Sequence, residues 1–267
     1  MKKPNRYQSL IADLFFSRYE AGKKALPFTR EELLKTAGKL GIEMPKNLGD
    51  VLYSFRFRNN LPEEILATQP LGMEWVIEVV GVAKYVFSLV PINRITPNTN
   101  LVTIKIPDAT PEIIASHALS DEQALLAKVR YNRLIDIFLG LTASSLQNHL
   151  RTTVKGMGQI EVDEIYVGVD RHGCQFIIPV QAKGGNDQLS TVQAKQDIAC
   201  CAEKFPTLVC RPISAQFMND SRIALFELCL DDSGLVRVAD EKHYRLVPSN
   251  EIVDSDLAEY RRRSGRP

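Results

Sequence analysis

The chain has 267 residues, of which 45% are hydrophobic and 24% are charged, so it can build a real core in one large domain or two ordinary ones. It contains no run of about 18 apolar residues, so no membrane-spanning helix is expected. The five cysteines form no CxxC pair and no zinc spacing with histidine, which predicts buried, reduced thiols in a cytoplasmic protein.

The charge is uneven along the chain, although the net charge is only +1. Residues 1–60 hold twelve Lys and Arg against six Asp and Glu, and the remainder carries an acidic surplus of five. A basic lobe joined to an acid-bearing lobe is the pattern of a nucleic-acid-binding protein with a metal site. The same pattern also arises as an accident of composition.

The N-terminal part, residues 1–92, predicts short helices followed by a hairpin. Helical spacing of apolar residues predicts a first helix from Tyr7 to about Tyr19, and residues 21–28 are interpreted as a loop. Thr29 and Glu32 have the spacing of a capping box and open a second helix. A third helix starts near Asn47, and two apolar runs around Gly81 predict a β-hairpin.

This order of elements resembles a winged helix-turn-helix domain. The resemblance implies that the third helix enters the major groove of DNA, where Arg and Asn contact base edges. The expected DNA-binding residues on and beside that helix are Lys46, Asn47, Tyr53, Arg56 and Arg58. The alternative is a helical protein-interaction domain whose charged residues are only solvated.

The second part, residues 93–267, begins with a linker rich in Pro, Asn and Thr that includes a strand near 101–106. A helix opened by Asp121-Glu122-Gln123 is expected to run to about Phe138, and a second helix from about Ala143 to Leu150. Later elements are a helix at about 189–205, a buried strand at 208–213, a hairpin at 223–238 and a strand at 243–247. The basic end, EYRRRSGRP, is expected to be mobile.

The stretch from Gly158 to Lys183 predicts a β-hairpin with its turn at Arg171-His172-Gly173. Because side chains alternate faces along a strand, Asp163 lies on one face of the first strand, and Gln181 and Lys183 share one face of the second. An acid on one strand facing an amide and an ammonium on the next suits metal-assisted cleavage of a phosphodiester.

These residues resemble the motif of the PD-(D/E)xK nuclease superfamily, which includes many restriction endonucleases. Asp163 matches the first acid of that motif, and Gln181-Ala182-Lys183 matches (D/E)-x-K. Val162 stands in place of the motif's proline, and Gln181 in place of its second carboxylate. The resemblance covers roughly residues 115–220 and implies a fold of α/β (α+β) class, a restriction-endonuclease-like mixed sheet flanked by helices.

The resemblance further implies a type II restriction-like, Mg²⁺-dependent endonuclease that hydrolyses double-stranded DNA. Asp163, the carbonyl of Ala182, and Gln181 or a water would hold the metal, with Glu122 as a further metal ligand, and Lys183 would orient water and stabilise charge. Glu161 and Glu164 are the reserve carboxylates if the strand register slips by one residue. Gln193 or Gln196, expected on the exposed side of the helix at 189–205, would position water or a phosphate.

Two other classes of function stay open. A DNA-binding regulator with an inactive nuclease-like domain is favoured by Gln181, and a protein-interaction domain with a mixed core is the third candidate. Cutting both strands often uses two active sites, so a homodimer is a candidate assembly. The chain has no P-loop, no GxGxxG and no histidine constellation, and His172 is expected in a turn, which argues against nucleotide-driven and His-centred enzymes.

Overall fold

The computed structural model describes residues 6–45, 48–57, 61–91, 95–117, 122–184, 190–218, 220–232 and 234–264. The chain divides into two compact units. The first comprises residues 1–93 together with 153–159, and the second comprises residues 94–152 and 160–267.

The first unit combines short helices with a small antiparallel sheet. Its elements are α1 (Arg6–Phe16), β1 (Ala25–Thr29), α2 (Arg30–Lys39), α3 (Leu48–Phe57), α4 (Glu63–Leu66), β2 (Met73–Gly81) and β3 (Lys84–Pro91). In the described part of this unit the sheet has three strands in the order β1-β3-β2. The helices and the hairpin lie where the sequence predicts them.

The predicted loop at 21–28 is wrong in its second half, which forms β1. Leu26 and Phe28 point into the core, with exposed residues between and before them, and β1 pairs with β3 from Ala25–Ser88 to Thr29–Lys84. A five-residue alternation is too short to identify from sequence, and the available edge of β3 decides it.

The capping box at the start of α2 is confirmed. The Glu32 backbone N–H donates to Thr29 Oγ1 at 3.3 Å, and the Thr29 backbone N–H donates to Glu32 Oε2 at 2.7 Å. The helix then packs onto a core in which Phe15 lies edge-on to both Trp75 and Phe87, with ring centroids 5.0 and 5.2 Å away.

The second unit contains most of the strands. Its elements begin with β4 (Thr103–Pro107), α5 (Glu112–His117), α6 (Glu122–Tyr131), α7 (Leu134–Leu139), β5 (Thr142–Val154), β6 (Gly158–Val169) and β7 (Gln175–Lys183). Residues 153–154 of β5 and 158–159 of β6 are assigned to the first unit. They continue with α8 (Thr191–Lys204), β8 (Val209–Cys210), β9 (Ile213–Phe217), β10 (Ile223–Leu230), β11 (Val236–Val247) and α9 (Asp254–Ser264). No helix in the described ranges is both long enough and apolar enough to cross a membrane.

These strands form one mixed sheet, which in the described residues has eight strands. Seven follow the order β4-β11-β10-β9-β7-β6-β5, and β8 pairs with β7. The pairs β4–β11, β7–β8 and β7–β9 are parallel, whereas β6–β7, β9–β10 and β10–β11 are antiparallel. A mixed sheet flanked by helices is thus confirmed for this chain.

Helices cover both faces of the sheet, and each face has its own apolar cluster. Leu125, Val129 and Leu134 from α6 and α7 pack against one face of β7, which presents Ile178, Val180 and Ala182. Ala194 of α8 packs against the other face, where Ala224 and Phe226 of β10 lie. The two faces therefore separate the odd-numbered from the even-numbered side chains of β7.

Three predicted elements in this unit are wrong. The helix expected at 143–150 is strand β5, because α7 ends at Gly140 (φ +67°) and the chain then pairs along β6. The helix opened by Glu122 breaks at Arg133, whose φ of +49° separates α6 from α7. The buried strand at 208–213 is instead divided into β8 and β9 around Pro212.

The basic C-terminal end is also not a mobile tail over its described length. Residues up to Ser264 belong to α9, and the Tyr260 hydroxyl accepts a 2.9 Å hydrogen bond from the backbone N–H of Lys105. Residues 265–267 lie outside the described ranges. A single tyrosine contact of this kind is invisible in the composition of the segment.

Burial of the thiols follows the sequence prediction only in part. All five cysteines are free, and Cys200 and Cys201 are buried, as expected. Cys174 and Cys210 are half-buried and Cys229 is exposed, contrary to expectation.

Candidate functional site

The candidate site lies where β6 and β7 run side by side. The two strands pair antiparallel from Glu164–Val180 to Val169–Gln175, and the predicted turn between them is confirmed. At the open end of this ladder, Asp163 Oδ2 accepts a hydrogen bond from the backbone N–H of Ala182 at 2.8 Å. The first acid of the predicted motif and the centre of its second half are therefore in direct contact.

Lys183 completes this group through its contact with α6. Its ammonium donates to Glu122 Oε1 at 3.4 Å, and the lysine side chain is only 14% exposed. Glu122 opens α6 and is 40% exposed, so the pair lies at the rim of the sheet. All four predicted catalytic residues, Asp163, Gln181, Lys183 and Glu122, are thus within one neighbourhood.

Gln181 makes its contacts on the face covered by α8. Its Nε2 donates to the carbonyl oxygen of Glu161 at 3.1 Å and to Asp197 Oδ1 at 3.2 Å. Gln181 is 1% exposed and Asp197 is 3% exposed. A buried carboxylate therefore lies next to Gln181, the position where the PD-(D/E)xK motif has a carboxylate.

Sequence reasoning missed Asp197. The helix at 189–205 was expected to expose Gln196, but Gln196 and Asp197 are buried and Ala202 is exposed. Small residues at 194, 200 and 201 form the inward side of α8. The sequence feature that could have identified Asp197 is its position within one helical turn of these small residues. The strand position that it meets, Gln181, has an amide where the PD-(D/E)xK motif has a carboxylate.

The environment makes two of the acids unusually reluctant to ionise. Burial raises the pKa of Asp163, and the Ala182 hydrogen bond and the Lys183 charge oppose that rise. Burial holds the pKa of Asp197 well above its ordinary value, the Gln181 hydrogen bond opposes this, and the nearby Asp163 carboxylate raises it further. A half-buried and a buried carboxyl group that repel each other are a pair that a cation stabilises.

The reserve carboxylates prove different from one another. Glu164 is fully buried on the opposite face of β6, where Arg130 Nε donates to it at 2.9 Å and the Ser145 hydroxyl at 2.6 Å. It is therefore a structural acid and not a substitute ligand. Glu161 keeps the face of Asp163 and pairs with Arg151 at 3.3 Å.

The donor chemistry of this group fits a hard divalent ion. Asp163 and Asp197 supply carboxylates, and Gln181 and Ala182 supply carbonyl oxygens, a set that Mg²⁺ accepts together with several waters. In the part of the chain that the structure describes, no three Asp, Glu, His or Cys side chains are close enough to bind a metal by themselves. A metal here would therefore use amide and backbone oxygens and water, and Mg²⁺ stays a prediction.

The predicted DNA-binding residues of the first unit differ in their outcome. Lys46, Asn47 and Arg58 lie outside the described residues. Tyr53 is half-buried on α3. Arg56 is not the outward-facing cation that was expected, since it is half-buried, its Nη2 donates to the carbonyl of Met157 at 3.4 Å, and burial lowers its pKa.

Comparison with protein-family models, with curated proteins and with solved structures gave no match.

The stability of the metal-free chain should depend on pH through Asp197. Its raised pKa means that the folded chain binds this proton more tightly than the unfolded chain. The contribution is fully present below the unfolded pKa of about 4 and is lost as the pH rises through the folded value. We expect the stability of Asp197→Asn, relative to the original chain, to increase from pH 4 upward in denaturant melts with EDTA.

Asp170 provides the opposite control. Its pKa is lowered, first by the hydrogen bond from the His172 backbone N–H, so Asp170→Asn should lose relative stability as the pH rises. If the relative stabilities of the two variants change with pH in the same direction, the raised pKa of Asp197 is contradicted.

Proposed function

We propose that this chain is a Mg²⁺-dependent endonuclease that hydrolyses phosphodiester bonds in double-stranded DNA, with a nuclease domain of the PD-(D/E)xK, restriction-endonuclease-like type. The observation that carries the proposal is the 2.8 Å contact between Asp163 and the Ala182 backbone, flanked by Lys183 and Gln181. The order of helices α6 and α7, strands β5, β6 and β7, helix α8 and strands β8 and β9 supports it, because the order expected of that superfamily is a helix, three strands, a helix and a strand.

In this proposal Asp163 and Asp197 would hold the metal together with the oxygens of Gln181 and Ala182. Bound there, Mg²⁺ would lower the pKa of a coordinated water and neutralise phosphate oxygens. Lys183, held at 3.4 Å from Glu122, orients the attacking water and stabilises the negative charge that develops on the phosphate. Glu122 fixes the position of the ammonium from the rim of the site.

The first unit would supply DNA binding in this scheme as a winged-helix domain. Its support is the order of helices and hairpin, with the β1-β3-β2 sheet behind them. Arg56 would not serve as a base-reading residue, because its guanidinium is engaged inside the unit. The recognition role would then fall to Tyr53 and to Lys46, Asn47 and Arg58.

A second candidate function is a DNA-binding regulator whose nuclease-like domain is inactive. The specific observation in its favour is that Gln181 provides an amide where the motif has a carboxylate, and this amide already donates to Asp197. Under this alternative, the Gln181–Asp197 contact is a structural hydrogen bond inside an inactive domain.

Plasmid nicking separates the two functions. We expect the purified chain to convert supercoiled plasmid to nicked or linear DNA with Mg²⁺ and to leave it intact with EDTA. DNA binding without cutting, over a range of divalent ions and of plasmid sequences, would reject the enzyme and favour the regulator. A chain that neither binds nor cuts DNA would reject both and leave the protein-interaction function.

A further inference from the structure

One row of side chains connects the site to the far half of the sheet. Lys183 of β7 lies opposite Gln216 of β9, Gln216 opposite Ala224 of β10, and Ala224 opposite His243 of β11. Directly paired residues point to the same face of a sheet, so this row lies on the face of Lys183. Gln216, Ala224 and His243 are buried, and Lys183 stands at the open end of the row.

Beyond this row the same face opens into a basic cavity. Arg245 follows His243 by two residues on β11 and pairs with Lys105 of β4, so both cations keep the face of Lys183. Together with Arg222, Thr103 and Asp220 they line a cavity of ≈350 Å³. We call this the Lys105–Arg222–Arg245 pocket.

The pocket contains hydrogen-bond donors that are available to a ligand. Arg222 is paired with Asp220 at 2.6 Å, and Lys105 with Asp256 at 2.9 Å. Arg245 is 45% exposed, and its nearest carboxylate, on Asp220, is 3.9 Å away, which is longer than a hydrogen bond. The Arg245 guanidinium therefore retains N–H groups for an incoming acceptor, and three cations face one carboxylate in the lining.

We propose that the Lys105–Arg222–Arg245 pocket binds a second backbone phosphate of the same DNA duplex whose scissile phosphate lies at Lys183, an inference that rests on the proposed function. A guanidinium fork matches two phosphate oxygens at once. Three strand-to-strand steps of about 4.8 Å separate β7 from β11, or about 14 Å in all. That distance is well below the roughly 34 Å that one turn of a duplex spans along its axis, so both phosphates can belong to one duplex.

The test measures DNA binding without cutting. A fluorescein-labelled duplex is titrated in EDTA at several salt concentrations, with the original chain, Arg245→Ala and Arg245→Lys. Removing one phosphate contact should make the slope of log K against log salt shallower by about 0.9. It should also weaken binding at low salt by roughly tenfold, the value of a charged hydrogen bond. Arg245→Lys should retain most of the slope.

Arg237→Ala is the matched control, because it removes the same charge from the other end of β11, where Arg237 is exposed and pairs with Asp231. Thermal melts confirm that each variant is folded. Arg245→Ala with the original slope, or Arg237→Ala with an equal loss, would overturn the pocket. A third result would also overturn the proposal: inorganic phosphate stabilises the original chain but not Arg245→Ala, while the two chains bind duplex equally well. The pocket would then bind a small phosphate ligand and not DNA.

The outcomes also separate this inference from the nuclease proposal. If the original chain nicks plasmid and Arg245→Ala binds duplex normally, the nuclease proposal is supported and phosphate binding by the pocket is rejected. If Arg245→Ala shows the shallower slope but the original chain never nicks plasmid, phosphate binding by the pocket is supported and the nuclease proposal is rejected.

Discussion

Replacing Lys183 with alanine is expected to lower the initial rate of plasmid nicking by at least about a hundredfold. A preorganised cation at the reacting centre is worth about 10² to 10³ in rate, because it stabilises charge that exists only in the transition state. The environment of Lys183 supports that role, since its side chain is 14% exposed and its ammonium donates a hydrogen bond to Glu122. The measurement is the loss of supercoiled plasmid with time, at saturating Mg²⁺.

Lys242→Ala is the control for the general loss of a positive charge. Lys242 is an exposed residue of β11 that pairs with Asp240. Its removal should change the nicking rate by less than about twofold, because a surface ion pair contributes little free energy. Duplex binding in EDTA should weaken in Lys183→Ala by no more than about tenfold, the loss expected of one phosphate contact, which is smaller than the expected loss of nicking. Nicking at the original rate by Lys183→Ala would place this residue outside the chemistry.

The second large effect concerns the carboxylate at position 197. Asp197→Asn is expected to reduce nicking by at least about a hundredfold and to weaken Mg²⁺ or Mn²⁺ binding by at least about tenfold, because the charge count of the ligands sets divalent affinity. Metal binding is measured by titration calorimetry on the metal-free chain, which gives a result that does not depend on activity.

The contact between Gln181 and Asp197 permits an exchange experiment. In the double variant Gln181→Glu/Asp197→Asn, the amide and the carboxylate trade places across the same 3.2 Å contact, and the net charge stays constant. We expect this variant to recover metal binding and part of the nicking that Asp197→Asn loses. If Asp197→Asn binds metal and cuts like the original chain, the second carboxylate does not lie on α8.

Gln181→Glu alone offers a further check. It would place three acids, buried at positions 181 and 197 and half-buried at 163, within one group whose charges already repel. The metal-free single variant should therefore melt at a lower temperature at neutral pH, and divalent ions should stabilise it more than they stabilise the original chain. An unchanged melting temperature with EDTA would indicate that these side chains are not packed together.

Local pattern by itself determined a good part of this protein. The hairpin at 158–183 follows from two runs of apolar residues with a Gly-containing turn between them, and the capping box of Thr29 and Glu32 follows from a three-residue spacing. Both features depend on neighbours in sequence. The meeting of Asp163 with the strand end at Lys183 was also predictable, because an antiparallel hairpin brings those positions together once its turn is known.

Only the tertiary structure decided the rest. Residues 143–150 have apolar residues at helical spacing, yet the free edge of β6 makes them strand β5, since strand formation depends on a partner. Glu161 and Glu164 are equivalent acids in sequence, and only the sheet register sends Glu164 to Arg130 and keeps Glu161 beside Asp163. Asp197 is the clearest case. Its helix has small residues on the inward side, and the sheet face that it meets determines which polar side chains become buried.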